Sequence, residues 1–148
     1  DYNLVIDGSD NFPTRYLVND ACVLQNKPLL YGAISQFEGQ LSLFHASEQF
    51  PCYRCLFPTP PKPGTVASCA EAGVFGVLPG VVGSLMATEA IKFLLGLGES
   101  LSGILLHYDG LYSELRRINI KKNAACVVCG EDPKITELMD YEAFCNQA

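Results

Sequence analysis

Basic residues are scarce in this chain of 148 residues: 10 Lys and Arg stand against 16 Asp and Glu, giving a formal net charge of −6. Arg116, Arg117, Lys121 and Lys122 form the one basic cluster. A surface of net negative charge repels a phosphate backbone, so nucleic acid is a poor candidate for the partner. A membrane-length apolar run is also missing. The longest apolar stretch, residues 74–87, falls short of the roughly 20 residues that a bilayer requires. Pro79, Gly80 and Gly83 interrupt it, so it reads as a core helix and no membrane partner is expected. The 7 cysteines are odd in number, partly grouped in Cys-x-x-Cys pairs, and accompanied by no signal-peptide pattern. That combination points to reducing, cytoplasmic surroundings and away from a disulfide framework. There is no initial methionine, and the chain opens directly in a strand-like run, Tyr2-Asn3-Leu4-Val5-Ile6-Asp7, as a piece of a longer protein would.

About half of the residues are apolar, 49%, enough for the core of one α/β domain. Leu4-Val5-Ile6 reads as a short strand of the continuous apolar kind that parallel sheets bury. A helix is predicted over residues 15–25, with Pro13 in its first turn and Ser9, Asp10 or Asn11 as cap. Strands are predicted at 28–33 and 37–45, the second alternating Phe37, Gly39, Leu41 and Leu43 against Glu38, Gln40 and Ser42. A proline-rich loop at 57–65 reads as mobile and exposed. Beyond it a helix at 77–95 stops at Gly96-Leu97-Gly98. Strands at 103–108 and 114–120 form a hairpin around Asp109-Gly110. Residues 131–148 are acidic and read as a linker into a further domain.

Two Cys-x-x-Cys pairs, Cys52/Cys55 and Cys126/Cys129, lie far apart in the chain. A lone pair of this kind can equally be a redox dithiol or two unrelated buried thiols. Two pairs together supply the four sulfur ligands of one tetrahedral zinc ion. Their long separation suits a clasp joining distant parts of a fold, and four thiolates leave no open position for water. The metal is therefore read as structural. In the second knuckle, Cys126-Val127-Val128-Cys129-Gly130, the final glycine suits a positive φ.

Three further constellations can carry chemistry. Asp7-Gly8-Ser9-Asp10-Asn11 places two carboxylates where a parallel strand meets a helix, the usual seat of nucleotides and Mg²⁺ in open α/β sheets, although Asp10 can equally be a helix cap. Cys69, in Ala67-Ser68-Cys69-Ala70-Glu71-Ala72-Gly73, stands between the proline-rich loop and the apolar helix, where a thiol near a helix N-terminus can be nucleophilic or simply buried. Arg15, one turn into the first helix, can reach a phosphate or pair with Asp20.

These residues resemble the C-terminal part of the MoeB/ThiF family, relatives of ubiquitin-activating enzymes. The resemblance rests on Asp7-Gly8-Ser9-Asp10-Asn11 with Arg15, Tyr31-Gly32-Ala33, Glu38-Gly39-Gln40, Pro51-Cys52-Tyr53-Arg54-Cys55, Cys69-Ala70-Glu71-Ala72-Gly73, Glu89-Ala90-Ile91-Lys92 and Cys126-Val127-Val128-Cys129-Gly130, in the family's order. It implies a Rossmann-like α/β fold with a mixed sheet and a four-cysteine zinc clasp, residues 1–130 forming the C-terminal part of an adenylation domain. The implied activity is Mg-ATP-dependent adenylation of the C-terminal glycine of a small ubiquitin-fold sulfur carrier ending in Gly-Gly, of the molybdopterin-synthase type, with thiamine and tRNA-thiolation carriers as alternatives. By the same resemblance Asp10 is the catalytic Mg²⁺/ATP aspartate, Asn11 and Arg15 support the nucleotide site, and Cys52, Cys55, Cys126 and Cys129 hold structural zinc. Cys69 matches a cysteine that in some members links covalently to the carrier. A homodimer is implied, and the tail resembles the junction to a rhodanese domain.

The family's glycine-rich N-terminal half, its further basic ATP contacts and an arginine supplied across the dimer have no counterpart in this sequence, so the chain alone is expected to be inactive. Where many members have Cys-Thr between the two aspartates, Gly8-Ser9 stands here. Two other readings compete. A nicotinamide- or flavin-dependent oxidoreductase shares the sheet type but needs a dinucleotide fingerprint that is missing. A non-catalytic zinc-clasped module for dimerisation and carrier docking would make use of Gly80 and Gly83 for close helix packing.

Overall fold

The computed structural model describes residues 2–45, 47, 49–66 and 69–146, and for Cys69 and Ala70 it describes the backbone alone. Strands β1 (Val5–Asp7), β2 (Leu29–Ser35), β3 (Glu38–Phe44), β4 (Ile104–Asp109) and β5 (Glu114–Asn119) form one five-stranded sheet in sequential order. β1 and β2 pair in parallel, with Val5 opposite Leu29, while the remaining neighbours are antiparallel. The parallel pair needs a crossover, and helix α1 (Phe12–Leu24) supplies it.

The two faces of the sheet carry two apolar clusters. Leu29, Tyr31 and Ala33 of β2 join Phe44 and Leu105 under α1, where they meet Tyr16 and Cys22. The alternate residues Leu30, Leu41, Leu43 and Leu106 meet Val82, Met86 and Ala90 of helix α4 (Leu78–Leu95) on the opposite face. Covering on both faces explains why β3 is not half polar in its second half: Ser42 and Phe44 are as buried as Leu41 and Leu43. Gly39 and Gly32 permit the close approach of α4. A Cβ on Gly39 would lie 2.5 Å from Val82 Cγ2, and one on Gly32 would lie 2.1 Å from Met86 Sδ.

β1 departs from the buried strand that its composition predicts. It is the edge strand of this sheet, and Ile6 is 56% exposed. Ile6, opposite Leu30 in the register, stands on the α4 side, while α4 packs chiefly on β2 and β3. The reading of the longest apolar run as a core helix also needs correction. Leu78, Val82, Met86, Glu89 and Ala90 are the buried residues of α4, whereas Val77, Ile91, Leu94 and Leu95 are more than half exposed. One helix covers this face of the sheet, so its inner stripe is buried and its outer stripe is not. By length and composition α4 is the single helix among the described residues apolar enough to cross a membrane, at a mean hydropathy of 1.4.

Gly96, in the left-handed region at φ 64°, ends α4, as its position predicts. The β4–β5 hairpin turns through Asp109, whose Oδ1 accepts from the Leu111 and Tyr112 amides. Short helices α2 (Tyr53–Leu56) and α3 (Cys69–Ala72) flank the proline-rich loop, in which Pro60 is buried against the body. The segment read as a linker does not run free. It ends in helix α5 (Tyr141–Asn146), which docks on α1 with Tyr141 buried and Phe144 edge-on to Tyr16.

Candidate functional site

The loop between β1 and α1 is fixed by short-range bonds. Asp7 ends β1 almost fully buried and accepts from the Ser9 amide at 2.8 Å. Of the three possible caps, Asn11 takes the role, its Oδ1 accepting from Thr14 N at 2.9 Å. Asp10 is thereby free of capping: it is exposed and makes no hydrogen bond or ion pair among the described residues. Arg15 does not pair with Asp20, which is taken by Arg54. Its Nε and Nη2 donate to the Ser9 carbonyl at 3.3 and 3.1 Å, and its guanidinium lies 5.5 Å from the Phe12 ring and 5.6 Å from the Tyr31 ring.

Asp10 and Arg15 stand where two cavities meet. The smaller, about 200 Å³, opens between the ends of β1 and β2 and the first turns of α4, and is lined by Gly8, Gly32, Pro79 and Met86. The larger, about 880 Å³, runs from Asp10 and Arg15 past Tyr31 and Phe57 to Pro60 and α3, with Glu71, Ala72 and Gly73 on its far wall. The end of β2 and the chain after α3 are tied together by the Phe75 amide donating to the Gln36 carbonyl at 2.7 Å. Burial raises the pKa of Tyr31 and of Tyr53, so both phenols face the large cavity neutral. Cys69 begins α3, beside this cavity; its side chain, like residues 67 and 68 before it, lies outside the described residues.

The four knuckle cysteines, 74 residues apart pairwise, come together. Sγ of Cys52 lies 3.7 Å from that of Cys126, and Cys55 lies 3.4 Å from Cys129. All four sulfurs fall within 4.8 Å of one another. A tetrahedron with metal–sulfur bonds of about 2.3 Å has edges of about 3.8 Å, so the spacing fits one ion. Without a cation the four thiols cannot all ionise. Hydrogen bonds from Cys129, Cys52 and Cys55 pull Cys126 far down, while hydrogen bonding to Cys126, Cys129 and Cys55 pushes Cys52 far up. Amide support is in place: Asn123 N donates to Cys55 Sγ at 3.4 Å. Gly130 is required for space and not for a positive φ. It is absent from the left-handed residues, and a Cβ there would lie 2.4 Å from the Ala124 carbonyl oxygen and 2.5 Å from that of Cys126.

One group of polar residues escapes the motif reading. Arg54, inside the first knuckle, is 1% exposed and forms a bidentate pair with Asp20, which is fully buried. Tyr141 Oη donates to Asp20 Oδ2 at 2.9 Å, and Asn19 both donates to Asp20 and accepts from Tyr53 N. The Arg54 guanidinium lies 4.6 Å from the Tyr16 ring and 4.7 Å from the Phe144 ring. The available signal was Asp20 on the same helical stripe as Tyr16, a charge on an otherwise inward face.

Comparison with known proteins adds relatives. Residues 1–128 match the ThiF family. The sulfur carrier protein adenylyltransferase of Thermus thermophilus is 63% identical over 98% of this chain and 55% of its own length. The adenylyltransferase and sulfurtransferase MOCS3 of Mus musculus is 51% identical over 99% of this chain and 32% of its own length. The chain therefore spans about half the length of the first and a third of the second. Among solved structures, Escherichia coli MccB with ATP superposes at a TM-score of 0.69 and 18% identity, over 86% of this chain and 40% of that one. Another MccB crystal structure gives 0.69 at 20% identity, over 88% and 39%. These likenesses show the fold.

Proposed function

Since the chain belongs to the ThiF family, we propose that it is part of an ATP-dependent adenylyltransferase that activates the C-terminal glycine of a small ubiquitin-fold sulfur carrier, of the molybdopterin-synthase small-subunit type. The observation that carries this reading is Asp10: an exposed carboxylate with no partner among the described residues, in the loop that follows the C-terminal end of a parallel strand, on the seam of two cavities. In open α/β sheets that position faces nucleotides. A single carboxylate together with phosphate oxygens suits Mg²⁺, which would neutralise charge developing on the leaving pyrophosphate. Asp10 would hold the metal, with Asn11 and Arg15 shaping the loop around it.

The chain's residues would act by positioning. A tail ending in Gly-Gly, without side chains at its last two residues, would lie along the larger cavity past Phe57 and Tyr31, bringing its carboxylate toward Asp10. Attack of a carboxylate oxygen on the α-phosphorus forms the acyl-phosphate bond and breaks the bond to pyrophosphate, leaving AMP as a good leaving group for sulfur transfer. Cys69, on α3 by the same cavity, is proposed as the residue whose thiolate then attacks the acyl-adenylate carbonyl, forming a thioester to the carrier as the acyl–phosphate bond breaks and AMP leaves.

Arg15 is the one cation among the described residues lining the two cavities, and it is engaged with Ser9. A triphosphate needs more positive charge than that, which supports an incomplete site, completed by a further half of the protein and by a second copy. The outer stripe of α4, with Gly80, Gly83, Ile91 and Leu94, is proposed to contribute to a homodimer. The four-cysteine cluster would hold structural zinc, residues 131–148 would lead toward a rhodanese domain, and the protein would work in the cytoplasm. Incubating the intact protein with Mg-ATP and a Gly-Gly-ending carrier, followed by mass spectrometry of the carrier, tests this. A gain of one AMP on the carrier terminus is expected, and an unmodified carrier across a panel of such proteins would refute it.

A further inference from the structure

The Ser9 peptide is gripped from both sides. Its N–H donates to Asp7 Oδ1 at 2.8 Å, and its carbonyl accepts from Arg15 Nε at 3.3 Å and Nη2 at 3.1 Å. Both anchors stand on regular structure, Asp7 as the last residue of β1 and Arg15 in the first turns of α1. The residue that follows the gripped one is Asp10. We propose that Asp7 and Arg15 are positioning residues that act through the Ser9 peptide to hold the Asp10 carboxylate at the seam of the two cavities. The inference rests on the adenylation reading for the role of Asp10, but the grip itself can be measured without it.

Two observations support the grip. The guanidinium is planar and its donors form a rigid fork. Here Nε and Nη2, one edge of that fork, share the Ser9 carbonyl, and the Phe12 and Tyr31 rings lie 5.5 and 5.6 Å from its centre, so the orientation of the group is fixed relative to the loop. Asp7, 6% exposed, keeps its second oxygen buried and without a hydrogen-bond partner. An unpaired buried carboxylate oxygen is costly, and such costs are retained where they fix a site. The Asn11 cap fixes the other side of Asp10, so the residue is flanked by two anchored neighbours.

The test uses the intact protein with Asp7→Ala, Arg15→Ala, the double variant, and the conservative Asp7→Asn and Arg15→Lys. Hydrogen exchange at the Ser9 amide reads the grip directly. Each alanine variant is expected to speed exchange about 10-fold or more, with the double no faster than the faster single, because both act on one peptide. Asp7→Asn keeps an acceptor and Arg15→Lys keeps a donor, so both are expected to stay within about 3-fold of wild type. In carrier-dependent pyrophosphate exchange, both alanine variants are expected to raise the Mg²⁺ concentration for half activity by similar factors, while ATP binding in EDTA is unchanged. Unaltered Ser9 exchange in Arg15→Ala would overturn the proposal. So would a loss of metal-free ATP binding specific to Arg15→Ala. A wild-type protein inactive with every carrier would remove the adenylation reading and leave the exchange result to decide the grip.

Discussion

Arg54 and Asp20 face each other inside the protein, with Nε to Oδ1 and Nη2 to Oδ2 both at 2.8 Å and side-chain exposures of 1% and 0%. The pair joins three parts of the chain: helix α1 carries Asp20, the first Cys-x-x-Cys turn carries Arg54, and α5 closes over both with Tyr141 and Phe144. Removing one partner leaves a buried charge alone, which costs about 3–5 kcal/mol. Arg54→Ala is therefore expected to lower stability by that amount in urea unfolding. Arg54→Met combined with Asp20→Leu is expected to lose less than the single alanine variant, since no charge is left stranded.

The four-cysteine cluster ties the segment before the proline-rich loop to the segment after β5. One zinc per chain is expected by metal analysis, and Cys126→Ser should abolish it. Stripping the metal from the wild-type protein should lower the Tm sharply, because binding energy at a structural site is folding energy. Gly130→Ala, which forces a Cβ against the Ala124 and Cys126 carbonyls, is expected to weaken metal affinity about 10-fold or more in a chelator competition. A glycine needed only for a left-handed turn would give the same loss for Gly130→Asn as for Ala or less. Required for space, it should give a larger one.

Glycines under α4 differ in what they face. At Gly39 the obstacle is Val82 Cγ2, on a stiff β-branched side chain; at Gly32 it is the flexible end of Met86. Gly39→Ala is accordingly expected to cost about 1–3 kcal/mol by overpacking, and Gly32→Ala less. Equal losses in parallel denaturation curves would show that α4 moves as a rigid unit.

Cys22 gives a pH dependence of definite sign. Burial, and after it the Asp7 carboxylate, raises its thiol from about 9 to about 11. The folded state therefore favours the neutral thiol. That contribution is complete below the unfolded value and is lost as pH rises from about 9 through about 11, amounting to roughly 2–3 kcal/mol by linkage. Between pH 8 and 11, wild type should lose more stability than Cys22→Ala, and Cys22 should resist alkylation at pH 8.5 until the protein is unfolded. A parallel decline of both proteins would contradict this.

Much of the architecture is legible in the sequence because local chemistry determines it. Pro13 and Asn11 start α1, Gly96 ends α4, Asp109-Gly110 turns the hairpin, and two Cys-x-x-Cys pairs announce one cluster. What is not legible depends on neighbours distant in sequence. Apolar content cannot tell that α4 is covered on one side only, or that β1 is an edge strand with Ile6 uncovered. Nor can an acidic composition reveal that Tyr141 and Phe144 bring the tail back onto α1. The Asp20–Arg54 pair, 34 residues apart, is hidden for the same reason: the stripe shared with Tyr16 turns Asp20 inward, but nothing near it in sequence names Arg54 as its partner. At the loop carrying Asp10 the pattern could not tell which of Ser9, Asp10 and Asn11 caps α1; the hydrogen bond from Thr14 N to Asn11 answers that.

The most direct measurement is ATP–pyrophosphate exchange by the intact protein with a panel of carriers ending in Gly-Gly, comparing wild type with Asp10→Ala. Exchange that depends on one carrier and is lost in Asp10→Ala is the predicted result; exchange that survives in Asp10→Ala, or none with any carrier, would contradict the assignment of this site to adenylation.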